Sequence, residues 1–149
     1  DRKRHVYDDD IIALIDDQIA HAEDTIQVRR LRVVAGTDGP QTAELDLSID
    51  GEAKWTTARG NGPVDAIFNA IRILIPHDAR LDLYQVHAVT EGTDAQAEVS
   101  VRLIEGGHTG AARAADADTL VASAKAYVAA LNRLVARRGR GPDAQEGAA

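Results

Sequence analysis

Two short segments of this 149-residue sequence place chemically useful groups where a helix is predicted to begin. In the first, Gly60-Asn61-Gly62-Pro63 precedes a helical pattern, and Asp65 falls in its first turn. Glycines allow close approach to the backbone, and the unpaired amides of a helix start attract an anion. In the second, Asp116 and Asp118 open another helical pattern. These carboxylates would either hold a cation such as an ammonium group or cap the helix.

Two similar halves of the chain are predicted to position these helix starts. Residues 42–49 align with residues 96–103 at an offset of 54, and at this offset Asp116 is the counterpart of Gly62. A tandem duplication of this length predicts two similar subdomains related by a pseudo-twofold axis. The seam between two such subdomains is a natural place for a small-molecule pocket. The pattern therefore favours a ligand-sensing or assembly module over a self-contained enzyme.

Each half is predicted to contain three strands followed by one helix. Apolar residues alternate along the strands and recur at helical spacing in the helices. The predicted strands lie at 26–35, 42–49, 52–59, 81–91, 95–105 and 108–114, and the predicted helices at 63–75 and 117–137. A helix covers the apolar face of each sheet.

The predicted fold class is therefore α+β, with two tandem β-β-β-α units over about 25–77 and 78–137. A short linker helix at 8–22, within a segment spanning 1–24, precedes them, and a disordered tail over 138–149 follows.

Composition excludes several classes of protein. A net charge of −7 argues against a general nucleic-acid-binding protein, because phosphate contacts need a cationic surface. The chain contains no cysteine, which fits a reducing compartment, and we expect a cytoplasmic location. No apolar run reaches the roughly 20 residues that cross a bilayer, so we expect no membrane partner. His87 and His108 lack partners at metal-ligand spacing, and we expect no metal site in this chain.

Each candidate residue also has a purely structural interpretation. The Gly60–Pro63 segment alone is typical of a tight strand-to-helix turn, and Asp116 and Asp118 suit helix caps. Glu44 and Glu98 alternate with apolar residues, which favours a solvated sheet face over acid–base chemistry. The sequence shows no set of nucleophile, base and orienting group. We expect Trp55 and Phe68 to pack in the core or at an interface.

Four segments together resemble one known family, the α-isopropylmalate synthases, in their C-terminal regulatory domain. Gly60-Asn61-Gly62-Pro63-Val64-Asp65-Ala66 is similar to the glycine-rich signature of that domain, and residues 91–99 resemble its second-repeat strand entry. Residues 118–134 resemble its last helix, and residues 3–10 resemble the linker that precedes it. The resemblance covers about residues 3–135.

The resemblance implies a regulatory role. Enzymes of this family condense acetyl-CoA with 2-oxoisovalerate on a TIM barrel that holds a divalent metal, and this chain has no room for such a barrel. The remaining domain is expected to bind L-leucine as a feedback inhibitor, to form a homodimer and to contact the catalytic domain, without enzyme activity or a cofactor of its own. A purely structural dimerisation module and the isoleucine-sensing domain of a citramalate synthase remain alternatives.

The resemblance also implies a site. Tyr84 matches a family position that lines the ligand pocket, and Ala88 is small enough to leave room for an isobutyl group. The complete set of expected leucine-binding residues is Gly60, Asn61, Gly62, Pro63, Asp65, Tyr84, Ala88, Asp116 and Asp118.

The chain departs from the family at one segment. Ala112-Arg113-Ala114 stands where the family commonly has Gly-Arg-Gly. We expect the additional Cβ atoms to narrow any close backbone approach in the second half of the pocket.

Overall fold

Two three-stranded antiparallel sheets, each followed by a helix, form the fold. The computed structural model describes residues 25–88 and 95–148, with side chains described as far as Ala136. The elements in chain order are β1 (Ile26–Val34), β2 (Gln41–Ile49), β3 (Glu52–Gly60), α1 (Pro63–Leu74), β4 (Arg80–Ala88), β5 (Ala97–Glu105), β6 (His108–Asp116) and α2 (Thr119–Ala148). Sheet A has the strand order β1-β2-β3, and sheet B has the order β4-β5-β6. This confirms the predicted α+β fold of two tandem βββα units. The predicted linker helix in 1–24 and the predicted turn at 91–94 lie outside the described residues.

Two-residue turns join the last two strands of each sheet. Asp50 and Gly51 have φ values of 53° and 82°, and Gly106 and Gly107 have values of 57° and 83°. Positive φ at both central residues gives the turn a twist that matches the twist of the flanking strands. Both predicted hairpins are therefore confirmed, and their turn residues are of the types that tolerate this backbone conformation.

The two halves correspond at a different spacing from the one that the sequence indicated. β5, β6 and α2 begin 56 residues after β2, β3 and α1, so Asp118 rather than Asp116 is the counterpart of Gly62. The predicted offset of 54 is wrong for these elements, because the connection between β4 and β5 is longer than that between β1 and β2. An error of two residues keeps every strand residue on its predicted face, since side chains alternate with a period of 2. The apolar pattern alone could not reveal it.

The helices cover the inner faces of the sheets. α1 packs on β2 and β3, whereas α2 packs on β5 and β6 and also reaches β1 of the other sheet. Leu45, Leu47 and Leu103 on the central strands are fully buried, and burial of each such side chain contributes about 1.5–3 kcal/mol. Phe68 is buried as expected, but Trp55 is 70% exposed, so it is not part of the core of this chain.

Aromatic and imidazole groups meet at the seam between the halves. The rings of Phe68 on α1 and Tyr127 on α2 have centroids 4.5 Å apart. His77, in the connection between the halves, places Nδ1 2.6 Å from the carbonyl oxygen of Ile75 and Nε2 2.9 Å from the Tyr127 hydroxyl. Because a carbonyl only accepts, Nδ1 donates, and in the neutral ring Nε2 accepts the tyrosine proton. Burial raises the pKa of Tyr127, which keeps this hydroxyl protonated as a donor.

Asn132 on α2 joins the helix of the second half to the first strand. Its side-chain oxygen accepts from the amides of Thr25 at 3.2 Å and Ile26 at 3.0 Å, and its Nδ2 donates to the Ile26 carbonyl at 2.8 Å. Asn132 is only 6% exposed. A buried side chain thus completes the hydrogen bonding of the backbone at the start of β1.

The last helix is longer than predicted. α2 extends to Ala148, so it passes the predicted helix end at 137 and continues through the segment predicted as a disordered tail. Gly139, Gly141, Pro142 and Gly147 in that segment have low helix propensity. The intrinsic preferences of these residues therefore favour the earlier helix end that the sequence predicted.

We predict that Asn132→Ala destabilises the chain by about 2–4 kcal/mol, because it leaves the buried amide of Ile26 and the part-buried amide of Thr25 without an acceptor and a carbonyl without a donor. Urea unfolding followed by circular dichroism measures this change. Asn69→Ala is the matched control: it removes two exposed hydrogen bonds, from Asn69 Nδ2 to the Arg59 carbonyl at 2.8 Å and from Arg72 to Asn69 Oδ1 at 3.5 Å. It should cost about 1 kcal/mol or less, because water can replace both partners. Equal losses in the two variants would contradict the role assigned to Asn132.

Candidate functional site

The start of α1 is open. Gly62 is the N-cap residue and makes no side-chain capping hydrogen bond, and Pro63 follows as the first helical residue. The first backbone bond of the helix runs from the amide of Ala66 to the carbonyl of Gly62 at 2.9 Å. The amides of Val64 and Asp65 precede this bond and have no partner within the helix. This end of α1 therefore presents backbone donors, as the sequence predicted.

The two glycines of the turn play different parts. A Cβ at Gly60 would collide with the backbone of Asp65 and Ala66, so packing of β3 against α1 requires glycine there. A Cβ at Gly62 would meet no atom within 4 Å, and its φ of −155° suits any residue. The fold of this chain does not require glycine at Gly62.

The side chain of Asp65 is used within the turn. Its Oδ2 accepts from the amide of Asn61 at 2.8 Å, which ties the chain before the helix to the first helical turn. Its negative charge lies beside the helix start and weakens the attraction of that end for an anion. The structure therefore gives Asp65 a turn-fixing contact and places Asn61, which is exposed, just before the open helix start.

The start of α2 is closed by a carboxylate. Asp118 Oδ1 accepts from the amides of Leu120 at 2.8 Å and Val121 at 3.4 Å. The capping interpretation of Asp118 is confirmed, and such a cap contributes about 1 kcal/mol. Asp118 is exposed, and its Oδ2 makes no hydrogen bond to any residue that the structure describes. The counterparts Gly62 and Asp118 thus give the two helix starts opposite electrostatic character.

Asp116 supports the same turn. Its Oδ1 accepts from the amide of Asp118 at 2.9 Å, and its Oδ2 lies 3.2 Å from Lys125 Nζ. The backbone amide of Asp118 lowers the pKa of Asp116, and Lys125 adds to this effect against the opposing influence of partial burial. Asp116 is therefore a charged structural group of the turn.

Tyr84 lies between the two helices. Its hydroxyl oxygen is 2.8 Å from Ser123 Oγ on α2, and its ring meets Phe68 of α1 edge-on with centroids 5.7 Å apart. Tyr84 is thus a seam residue and not an ordinary sheet residue. The sequence did not single out Ser123, because one serine in an alanine-rich helix has no distinctive spacing.

The predicted residues form two groups. Ala88 pairs with Ala97, which pairs with Asp116, so Ala88 and Asp116 share the end of sheet B where α2 begins. The turn from Gly60 to Asp65 lies at the end of sheet A. Among the described residues no hydrogen bond or ion pair joins the two groups, and the ring contact between Phe68 and Tyr84 is the bridge.

The two alanines of the Ala112-Arg113-Ala114 segment lie in a regular strand. Ala112 and Ala114 belong to β6 and pair with Val101 and Val99. Ala112 is 5% exposed, and neither alanine has a positive φ. Their methyl groups therefore pack within sheet B without backbone strain.

An open cavity of about 810 Å³ lies elsewhere, at the opposite end of sheet B. It is lined by Asp78, Arg80, Ile104, Glu105, Gly106, Gly107 and His108. None of the expected leucine-binding residues lines it. In the described residues, no group of three or more His, Asp or Glu side chains is placed to hold a metal ion. Over 25–88 and 95–148, no helix is both long enough and apolar enough to cross a membrane.

Comparison with known proteins gives consistent matches. Residues 5–135 match the protein family described as the LeuA allosteric (dimerisation) domain. A 2-isopropylmalate synthase from Caulobacter sp. (strain K31) is 67% identical over 138 residues, which are 93% of this chain and 26% of that protein. One from Rhodopseudomonas palustris (strain BisB5) is 62% identical over 94% of this chain and 27% of its own length. One from Bradyrhizobium sp. (strain BTAi1) is 61% identical over 100% of this chain and 28% of its own length. The chain spans about a quarter of the length of these curated relatives.

We predict that Asp116→Asn lowers stability at pH 7 by about 0.5–1 kcal/mol, because the amide keeps an acceptor but loses the charge beside Lys125. The folded-state pKa lies below the ordinary value of 3.8. The ionised group therefore stabilises the fold above that value, and this contribution is lost as the pH falls through the lower folded pKa. Urea unfolding of both proteins at pH 7 and pH 3 should show the difference narrowing in acid. A difference of the same size at both pH values would contradict the assignment.

Proposed function

This chain belongs to the LeuA allosteric (dimerisation) domain family, and we propose that it is the regulatory domain of a 2-isopropylmalate synthase, binding L-leucine as a feedback inhibitor and pairing with a second copy. The observation that carries the proposal is the family match over residues 5–135, which includes both βββα units. The relatives are named 2-isopropylmalate synthase, which supports a parent transferase of leucine synthesis in which this domain is attached to a catalytic domain, and we place that parent enzyme in the cytoplasm.

The two helix starts offer complementary groups for a free amino acid. The open amides after Gly62 suit the carboxylate of leucine. The free Oδ2 of Asp118 suits its ammonium group, since a carboxylate has acceptor capacity beyond the capping bond. Tyr84 and Ala88 offer apolar surface to the isobutyl group. Gly60, Asp65 and Asp116 would hold the two turns in position without contacting the ligand. The proposed site comprises Gly60, Asn61, Gly62, Pro63, Asp65, Tyr84, Ala88, Asp116 and Asp118.

The presence of glycine at position 62 supports a ligand role, because the fold itself does not require glycine there. Neither its backbone angles nor its surroundings require glycine. A bare backbone at the end of a helix lets a small molecule reach the amides that a larger side chain would screen. Leucine can inhibit only if it binds two arrangements of the halves with different affinity. The seam through Tyr84 is where such arrangements would differ.

A purely structural dimerisation module is the second candidate. Asp118 already serves as a cap, and the described cavity lies at the other end of sheet B. Trp55 and Val34 lie on the outer face of sheet A and are 70% and 50% exposed, so a second copy has apolar surface to cover. Assembly through such surfaces needs no ligand.

Isothermal calorimetry with leucine, isoleucine and valine on this chain separates the candidates. We expect leucine to bind best, and at about 100 times its Kd to raise the free energy of unfolding by about 2.7 kcal/mol. Preferred binding of isoleucine would point to a citramalate synthase. A chain that is dimeric by light scattering, yet shows neither heat nor thermal shift with saturating leucine, would have only the assembly role.

We predict that Gly62→Val abolishes leucine binding and retains the fold, because the branched side chain screens the amides while its Cβ has open space within 4 Å. The loss of a favourable N-cap residue should cost about 1 kcal/mol. Ala53→Val, at an exposed position at the far end of sheet A, is the control and should keep wild-type affinity. Unchanged affinity in Gly62→Val would remove this turn from the site.

A further inference from the structure

We infer that Ser123 is a positioning residue of the leucine site, which holds the Tyr84 side chain so that its hydroxyl faces α2 and its ring faces the seam. This inference rests on the proposed leucine-binding function and assigns to that site a residue that does not itself touch the ligand.

The hydrogen-bond directions at Ser123 are determined by its neighbours. Ser123 Oγ lies 2.8 Å from the carbonyl oxygen of Thr119, four residues earlier in α2. A carbonyl only accepts, so the serine hydroxyl donates its one proton there. The same Oγ lies 2.8 Å from the Tyr84 hydroxyl, which must therefore be the donor. A directed chain runs from Tyr84 through Ser123 to the first turn of α2.

A second contact fixes the ring plane. Phe68 of α1 meets the Tyr84 ring at an interplanar angle of 83°, an arrangement that aromatic pairs favour. A tyrosine side chain has only two rotatable angles before the hydroxyl. A hydroxyl held by Ser123 and a ring edge held by Phe68 together determine both angles.

The consequence is chemical selectivity. Ser123 is fully buried, and it takes up the only proton that Tyr84 can donate. The tyrosine then offers its ring surface to the seam and no free donor, which suits a branched aliphatic side chain. Loss of Ser123 would release the hydroxyl, and a released hydroxyl needs water or a new acceptor. A wetter, reoriented ring would bind an isobutyl group less well.

Ser123 and Tyr84 are not equivalent partners in this hydrogen bond, so removing one hydroxyl is expected to have a different effect from removing the other. Ser123→Ala leaves the tyrosine hydroxyl without its acceptor. Tyr84→Phe leaves Ser123 satisfied by the Thr119 carbonyl and keeps the ring. The double variant leaves no unpaired hydroxyl at all, because both polar groups have been removed.

Calorimetric titration of leucine into the wild type and these three variants of this chain tests the inference. We expect Ser123→Ala to weaken binding by about 10-fold, equivalent to about 1.4 kcal/mol, and Tyr84→Phe to weaken it by about 3-fold or less. The double variant should bind as Tyr84→Phe does, so that removal of the tyrosine hydroxyl restores most of the affinity lost in Ser123→Ala. Such recovery is not expected of a serine that only packs the helix.

Several outcomes would overturn the inference. One is a Ser123→Ala variant that melts at a lower temperature but binds leucine with unchanged affinity; another is additive losses in the double variant. If Ser123→Ala does not fold, Ser123→Cys, which keeps the size but is a weak hydrogen-bonding group, must show the same recovery with Tyr84→Phe. Absence of leucine binding in the wild type would instead refute the proposed function and the inference with it.

Discussion

Backbone amides at the start of a helix have no hydrogen-bond partner inside the helix. The proposed ligand site depends on the difference in how the two halves cap these amides. The second half closes its helix start with the carboxylate of Asp118. The first half leaves its helix start at Gly62 without a side-chain cap. Two copies of one βββα unit thus present opposite charge preferences at equivalent positions. A zwitterionic amino acid, with one negative and one positive group, matches this difference.

The helix α2 makes these two halves one structure. Its Tyr127 meets Phe68 of α1, and its Asn132 completes the backbone of β1. Nearer the helix start, Ser123 bonds Tyr84 of its own half, whose ring contacts Phe68. Each of these contacts is made by a polar or aromatic group in a core that is otherwise aliphatic. Hydrogen bonds and ring contacts of this kind depend on direction more strongly than aliphatic packing does. Through these contacts α2 is held against both α1 and β1.

Much of the fold follows from the sequence. Alternating apolar residues, the hairpin residues Asp50-Gly51 and Gly106-Gly107 and the helix-starting Pro63 all predict elements that the structure contains. The correspondence between the halves differs by two residues from the one that the sequence predicts, since alternation cannot distinguish shifts of even length. The site was harder to predict. Sequence alone could not show that Gly60 is needed for packing while Gly62 is not, because only coordinates reveal what a Cβ would meet. Ser123 cannot be predicted from sequence, because one serine in an alanine-rich helix has no distinctive spacing.

A nitrogen-15 NMR titration with leucine tests the central claim most directly, since it reports on each backbone amide separately. We expect the amide resonances of Gly62 and Val64 at the open helix start to move furthest, together with those around Tyr84. The amides of Gly106 and Gly107, beside the cavity at the other end of sheet B, should change little. Shifts concentrated at that hairpin, with the Gly62 region unchanged, would contradict the account.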